Sequence, residues 1–196
     1  CLGTFDLSVY EMVGAYSTFV NRGIWIEPVF ITRIEDRNGI VLETVTPKTQ
    51  EAMSKETANI MVRMLQGVVD GVHNVTTNKT LGTGVRLRYK YGFTNQMGGK
   101  TGTTQNHSDG YFMGITPNLV TGVWSGCEDR SVHFRDILYG QGANMALPVF
   151  AEYMQRVYAD TINTGVFPID FDIPKYIDQK LDCSHHIQTE ENNEFE

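Results

Sequence analysis

The stretch Gly98-Gly99-Lys100-Thr101-Gly102-Thr103-Thr104 combines one cation, three hydroxyls and three glycines within seven residues. Threonine is stiff at χ1 and glycine loses the most backbone entropy on folding, so this composition disfavours a helix. In an extended strand, alternation would place Lys100 and Gly102 on one face and Thr101 and Thr103 on the other. Glycine inside a strand often marks the close approach of a ligand or another backbone. We therefore interpret this stretch as a strand that belongs to a binding site.

Two other interpretations of the same residues are a phosphate-binding loop and an ordinary Gly/Thr-rich edge strand. Gly99-Lys100-Thr101 matches the end of the phosphate-loop pattern, but the first glycine of that pattern would fall on Thr94. That pattern also requires a helix to follow, which residues 101–110 cannot readily supply. The tetrapeptide Lys100-Thr101-Gly102-Thr103 does not by itself exclude an ordinary edge strand without a binding role.

The residues that follow predict an antiparallel sheet. Tyr111–Thr116 and Leu119–Gly126 are apolar segments separated by Pro117-Asn118, a tight-turn signal, so they should pair as a hairpin beside Gly98–Thr104. A helix should then begin at Leu147-Pro148, because proline is tolerated in a first turn.

The residues that precede the strand predict two helices and a small β-hairpin. Ser8 and Glu11 form a capping box for a helix over Val9–Asn21. Val29–Glu35 and Ile40–Thr44 flank an Asn-Gly turn. A second helix should run from Ser54 to Gly71, and residues 72–97 should form a loop with at most a short helix near Val85–Lys90.

The distribution of charge separates the last 37 residues from the rest of the chain. Residues 160–196 contain nine acids and two lysines, which accounts for the whole net charge of −7. Between Gly71 and Ser108 there are five basic residues and no acid, so this segment is either a positive patch that attracts a carboxylate ligand or an ordinary solvated loop. The chain is acidic and has no sustained basic face, so it is a poor fit to a nucleic-acid-binding function.

The cysteines and the hydropathy define no further site. Cys1, Cys127 and Cys183 form neither a zinc spacing nor a disulfide framework, and Cys127 with His133 matches no hydrolase motif. No apolar run reaches the ~18 residues of a membrane span.

Four segments together resemble the C-terminal half of the transpeptidase domain of class A (bifunctional) penicillin-binding proteins: Gly82-Thr83-Gly84, Gly99–Thr104, Asp109–Pro117 and Leu119–Trp124. The likeness covers roughly residues 2–159 and is strongest from 82 to 126. The resemblance implies an α+β fold of the penicillin-binding-protein and serine β-lactamase type, in which helices flank an antiparallel sheet. We expect residues 1–160 to belong to that domain and 161–196 to form an acidic extension, disordered over Thr189–Glu196.

The resemblance also implies a peptidoglycan D,D-transpeptidase, with no metal or cofactor. A serine attacks the D-Ala-D-Ala end of a stem peptide, forms an acyl-enzyme and passes the acyl group to an amine, and β-lactams trap the same serine. Lys100 would supply positive charge and assist proton transfer. The hydroxyls of Thr101 and Thr103 would bind the terminal carboxylate, and Gly102 would admit the substrate backbone. The Thr103 N–H would form half of an oxyanion hole, worth about 3 kcal/mol, and Thr104 would complete the binding strand.

The chain departs from this family in its serines. None of the seven is followed by x-x-Lys or by x-Asn, so the nucleophile motif and the middle motif of the family are absent. We expect the chain to be a fragment that cannot acylate alone, from a parent anchored in the membrane and facing the periplasm. The strand over Leu119–Gly126 should lack its usual neighbour, so self-association or pairing with the missing N-terminal part is expected. A carboxypeptidase or β-lactamase, and a non-catalytic sensor of muropeptides or β-lactams, remain alternatives.

Overall fold

The computed structural model describes residues 5–74, 76 and 78–181. Its helices, in chain order, are α1 (Val9–Val20), α2 (Lys55–Asp70), α3 (Arg86–Tyr89), α4 (Ile137–Gly140), α5 (Gly142–Met145), α6 (Leu147–Ala159), α7 (Thr161–Thr164) and α8 (Tyr176–Leu181). Its strands are β1 (Ile24–Ile26), β2 (Arg33–Glu35), β3 (Val41–Thr44), β4 (Thr49–Glu51), β5 (Val72–Asn74), β6 (Lys79–Leu81), β7 (Gly98–Thr103), β8 (Asp109–Thr116) and β9 (Leu119–Gly126).

A three-stranded antiparallel sheet of order β7-β8-β9 forms the centre of the fold. The register pairs Lys100 with Met113 in one ladder and Thr116 with Leu119 across the predicted tight turn in the other. Both outer strands are edges, because neither β7 nor β9 has a second strand neighbour among the described residues. The predicted α+β class and all three predicted strands are confirmed.

Helices cover both faces of this sheet and create two hydrophobic clusters. On one face, Phe112 of β8 packs against Phe150 of α6 with ring centroids 4.9 Å apart. On the other face, Ile115 of β8 packs with Val62 and Leu65 of α2. Helix α1 also lies on this second face, so close that a Cβ on Gly122 would stand 2.6 Å from a methyl of Val9. Alternation along β8 therefore sends side chains into two separate cores.

The two long N-terminal helices have the caps that the sequence predicts. Ser8 and Glu11 form the complete capping box of α1, with each side chain bonded to the other residue's backbone N–H. Ser54 accepts a hydrogen bond from the N–H of Thr57 at the start of α2, and Gly71 follows its end with φ +75°. These bonds satisfy backbone groups that would otherwise lack partners in the first turn.

The part of the chain that the structure describes also contains three two-stranded ribbons, of which the sequence predicts only β2–β3. The β2–β3 ribbon closes around Asp36, whose carboxylate accepts the N–H groups of Asn38 and Ile40 at 2.7 and 2.9 Å. The β5–β6 ribbon lies within residues 72–97, so the expectation of a loop there is wrong, although the short helix α3 is confirmed. The β1–β4 ribbon pairs Ile24 with Glu51. Its strands are far apart in sequence, and neither is long enough to show alternation.

Residues 166–175 have no regular secondary structure and lie against α2 and the segment that precedes β7. Asp170 accepts a hydrogen bond from the N–H of Gln96 at 3.1 Å, and the N–H of Phe171 donates to the Gln96 side chain at 3.1 Å. Ile177 of α8 is fully buried. Residues 166–181, called here the C-terminal arm, therefore pack onto the body of the chain.

Some expectations fall on residues about which the structure says nothing. The predicted disorder of Thr189–Glu196, and two of the three cysteines, Cys1 and Cys183, lie outside the described residues. Cys127 is a free, exposed thiol. Within the described ranges, no helix has both the length and the apolar character needed to cross a membrane.

Candidate active site

A cleft of about 460 Å³ runs along β7 and includes all five residues predicted for the site, Lys100 to Thr104. Its opposite wall comes from the segment before α1 and from α1 itself, including Leu7, Met12 and Tyr16. Tyr111 and Met113 of β8 form its floor, and Arg130 reaches it from the loop after β9. The predicted site residues therefore share one cleft.

The backbone of β7 presents hydrogen-bonding groups to this cleft. The N–H of Thr104 donates to the carbonyl of Asp109 at 3.1 Å, which fixes the alternation of the β7–β8 ladder. In an antiparallel ladder every second residue bonds to the neighbouring strand, so the backbone N–H groups of Gly102 and Lys100 also point toward β8. The N–H groups of Thr101 and Thr103 point away from it. An incoming strand or an oxyanion would find these two donors at the free edge.

The side chains of β7 alternate as the sequence predicts. Lys100 lies on the α1 face and its Nζ donates to the carbonyl of Thr101 at 2.8 Å. Thr101 and Thr103 lie on the other face, where Thr101 Oγ1 donates to Thr83 Oγ1 at 3.0 Å and Thr103 Oγ1 accepts the N–H of Gly142 at 3.0 Å. A hydroxyl that accepts such a bond can still donate its own proton to a ligand. All three residues line the cleft, but the ammonium and the two hydroxyls lie on opposite faces of this edge strand, with the hydroxyls directed toward Thr83 and Gly142.

The start of α5 sits directly on β7. A Cβ on Gly142 would lie 2.2 Å from the carbonyl oxygen of Gly102 and 2.5 Å from that of Tyr111, so only glycine fits there. This contact holds the hydroxyl of Thr103 against the backbone of α5. No sequence pattern identifies Gly142, because its partner lies about 40 residues away.

Thr104 is bound to a buried carboxylate at the far end of β7. Asp109 Oδ2 accepts hydrogen bonds from Thr104 Oγ1 at 2.9 Å and Ser108 Oγ at 3.0 Å, and Oδ1 accepts Trp124 Nε1 at 3.0 Å. Burial acts to raise the pKa of Asp109, but the three hydrogen bonds and the positive charge of Arg130 outweigh it and hold the pKa below its usual 3.8. Asp109 is therefore ionised and fixes the strand end that carries Thr104.

The basic segment between Gly71 and Ser108 is not a continuous positive patch. Arg88 pairs with Asp70 at 2.6 Å and also donates to the carbonyls of Phe93 and Asn95. Arg86 donates to the carbonyl of Ala143 and to the side chain of Asn144. These two arginines tie loops together, so within this segment Lys100 is the base that lines the cleft.

Sequence reasoning located the strand but missed several of its partners. In the sequence, Asp109 stands out only as part of a motif and as the first acid after a long acid-free segment. Arg130 carried no signal at all, because it lies in an irregular loop whose position depends on the packed fold. The phosphate-loop alternative fails, since only a three-residue 3-10 turn, Gln105–His107, follows β7.

Comparison with known proteins identifies the family. Residues 2–124 match the family model described as the penicillin binding protein transpeptidase domain. Penicillin-binding protein 1A of Aquifex aeolicus is 33% identical over 174 residues, which cover 88% of this chain and 21% of that protein. The crystal structure of penicillin-binding protein 1A from Haemophilus influenzae superimposes with a TM-score of 0.68 and 25% identity, over 79% of this chain and 27% of that one.

A more distant structure shares the fold. Penicillin-binding protein A of M. tuberculosis, solved as an imipenem acyl-enzyme complex, gives a TM-score of 0.54 with 16% identity, over 78% of this chain and 32% of that one. The chain spans about a fifth of the length of the first curated relatives that it matches. The family-model match and the cleft along β7 concern the same part of the molecule, and the chain belongs to the penicillin-binding protein transpeptidase domain family.

Proposed function

We propose that this chain supplies the substrate-binding edge of a peptidoglycan D,D-transpeptidase. The observation that carries the proposal is the free edge of β7, where the N–H groups of Thr101 and Thr103 point away from the sheet beside an ammonium and two hydroxyls. An extended peptide can bind such an edge as an additional strand. The names of the relatives, penicillin-binding proteins, agree with a ligand that resembles a peptide end.

The terminal carboxylate of the peptide would bind near Thr101 and Thr103. Thr103 already accepts the N–H of Gly142, so its hydroxyl proton can turn to a carboxylate oxygen, and Thr101 can exchange its bond to Thr83 for the ligand. Charge-assisted hydrogen bonds to a carboxylate are stronger than neutral ones. Lys100 adds positive charge at the same end of the cleft and Gly102 leaves room for the ligand backbone.

The chemistry proposed is serine acyl transfer. A serine hydroxyl adds to the penultimate carbonyl, its proton passes to a base, and the oxyanion is stabilised by the N–H of Thr103 and by that of the serine. The intermediate expels D-alanine, which takes up a proton, and an amine of a second stem peptide then displaces the serine. Lys100 would help to carry these protons. No serine of this sequence has the family's x-x-Lys motif, so the serine would be supplied from outside these 196 residues.

The substrate also sets the location proposed for the site. Peptidoglycan stem peptides are cross-linked outside the cytoplasmic membrane, so the site would face the periplasm or cell exterior. Penicillin-binding protein A of M. tuberculosis, which has the same fold, was solved as an acyl-enzyme complex with imipenem. We therefore propose β-lactams as ligands of the parent protein.

The binding step can be tested on the chain itself. An N-acetylated peptide ending in D-Ala-D-Ala should shift the amide signals of residues 101–104 in an NMR titration, whereas the same peptide as its C-terminal amide should bind more weakly. Thr103→Val should weaken binding of the free acid without unfolding the protein. Shifts confined to other parts of the chain would contradict the proposed site.

The proposed lack of a nucleophile has a separate test. A fluorescent penicillin should leave this chain unlabelled after denaturing electrophoresis, under conditions that label an intact transpeptidase. Covalent labelling of any of the seven serines would show that the chain acylates alone.

A further inference from the structure

Two cations line the cleft at opposite ends of β7. Lys100 stands near the start of the strand, whereas the Nε atom of Arg130 is 4.0 Å from Asp109 Oδ2, the atom that accepts the hydrogen bond of Thr104. Four residue steps separate Lys100 from Thr104, and a strand rises ~3.3 Å per residue, so the two ends are about 13 Å apart. A ligand that follows β7 would therefore pass from one positive charge to the other.

The existing partners of Arg130 leave its guanidinium available. Its contact with Asp109 exceeds hydrogen-bond distance, and Asp109 already accepts three shorter bonds. Its contact with Asp6 is 3.7 Å long, and the Asp6 side chain is 98% exposed. Exposed ion pairs of this kind contribute little, because water competes for both partners. A guanidinium has five N–H donors in a planar fork that matches a carboxylate.

We propose that Arg130 is a specificity-determining residue that binds a second carboxylate of the acyl-donor peptide. The inference rests on the proposed function, which places the terminal carboxylate at Thr101 and Thr103. A peptide anchored there and extended along β7 toward Thr104 places the side chain two or three residues before its end beside Arg130. The substrate class is therefore a peptide with two anionic groups, one at its terminus and one on that side chain.

A purely structural role for Arg130 accounts less well for these contacts. Arg86 and Arg88, which do tie loops together, make hydrogen bonds to backbone carbonyls and side chains at ordinary or shorter distances. Among the described residues, Arg130 makes two long ion pairs, and its side chain is 71% exposed. Its removal should leave the fold unchanged.

The test compares two peptides that differ by one charge. Acetyl-Glu-D-Ala-D-Ala and acetyl-Gln-D-Ala-D-Ala are titrated into the isotope-labelled chain and followed through the amide signals of residues 101–104. The wild-type protein should bind the Glu peptide about two- to five-fold more tightly, and the preference should shrink in about 0.5 M salt. Arg130→Ala should abolish the preference, Arg130→Lys should keep part of it, and Asp6→Asn should increase it by removing a competing carboxylate.

Arg37→Ala is the matched control, because it removes the same charge from an exposed turn of the β2–β3 ribbon, away from the cleft. It should preserve the preference for the Glu peptide. Equal affinities in the wild-type protein, or a preference that survives Arg130→Ala, would overturn the role of Arg130 alone. If neither peptide shifts the β7 signals, the proposed function fails at this site and the inference fails with it.

Discussion

The carboxylate of Asp109 joins three segments of the central sheet. Asp109 is the first residue of β8. Its carboxylate accepts hydrogen bonds from the hydroxyl of Thr104 at the end of β7 and from the indole N–H of Trp124 on β9. Its backbone also exchanges bonds with Thr104, whose hydroxyl accepts the Asp109 N–H at 2.9 Å. Hydrogen bonds to a charged group in a buried site are stronger than neutral ones, so the position of Thr104 depends on this one ionised side chain.

The first prediction concerns the charge of Asp109. Its pKa in the folded chain lies below the ordinary 3.8, so its ionisation stabilises the fold above pH 3.8 and that contribution disappears as the pH falls through the lowered value. Asp109→Asn should lower the free energy of unfolding at pH 7 by about 2 kcal/mol. The variant should also lose less stability than the wild type between neutral and acidic pH.

Urea unfolding at several pH values measures both effects. Glu152→Gln, an exposed change on α6, is the control and should leave the pH profile close to that of the wild type. Parallel profiles for Asp109→Asn and wild type would mean that the carboxylate is not held in its charged form by the fold.

Residue patterns in the sequence predict the strand β7 and the alternation of its side chains, but not the contacts that support it. The order Lys-Thr-Gly-Thr predicts which side chains share a face, because alternation is a local property of a strand. The structure agrees, with Lys100 toward α1 and Thr103 toward α5. The roles of Asp109, Gly142 and Arg130 depend on contacts between distant segments, which no local pattern encodes.

At the level of elements, the contact between α5 and β7 leaves no space for a side chain. The Cα of Gly142 faces two carbonyl oxygens, one from β7 and one from β8, while its N–H holds the hydroxyl of Thr103. The helix start is thereby fixed against the strand that carries the predicted substrate-binding residues.

The second prediction uses this contact. Gly142→Ala should push α5 away from β7 and cost about 1–3 kcal/mol, because the new methyl overlaps backbone atoms that cannot rotate away. Gly67→Ala is the matched control. Gly67 lies within α2 with nothing within 4 Å of an added Cβ, so the same change there should stabilise the chain by up to about 1 kcal/mol. Thermal or urea unfolding of both variants would settle the difference, and equal effects would contradict the close packing.

The elements also differ in how far their sequences predict them. The β2–β3 ribbon contains an Asn-Gly turn with Gly39 at φ +82°, which is a strong local signal. The β5–β6 ribbon has two three-residue strands, and all three residues of β6 are exposed. The β1–β4 ribbon joins strands that are separated in sequence by another ribbon. Such strands are held by backbone pairing between segments whose side chains carry no periodic pattern, so their sequences look like loops.

At the level of the whole molecule, the C-terminal arm completes the packing around α2. Arg63 of α2 pairs with Asp178 at 3.0 Å, and Gln96 is bonded both to Gln66 of α2 and to the arm. Gln96 lies two residues before β7, so the arm, α2 and the site strand are linked. The predicted boundary between residues 160 and 161 stays a prediction, and the packing of the arm bears on it.

The third prediction measures that packing. Ile177→Ala should destabilise the chain by about 2–5 kcal/mol, because Ile177 is fully buried and the change leaves a cavity. Ile162→Ala, at a side chain that is 90% exposed, should change stability by less than about 0.5 kcal/mol. Calorimetric unfolding of both variants gives the comparison, and similar values would show that the arm is a separate extension.

The fourth prediction concerns the outer edge of β9. The N–H groups of Val120 and Gly122 point away from β8 by the alternation of the ladder, while Leu119 and Val123 pack partly into the core. We expect the chain to self-associate through this unpaired backbone, with a molar mass in light scattering that rises with concentration. Thr121→Lys on β9 should reduce the association, whereas Thr32→Lys near the distant β2–β3 ribbon should not. A monodisperse monomer at all concentrations would count against it.

If two copies did meet through β9, the geometry would limit how far assembly proceeds. Antiparallel pairing of a strand with its own copy is self-complementary, so it closes around a two-fold axis and leaves no second β9 exposed. The resulting six-stranded sheet would end in a β7 on either side, so no β9 edge would remain to recruit a third copy. Growth through β9 would stop at the pair, and the clefts along both β7 strands would stay open at its outer rims.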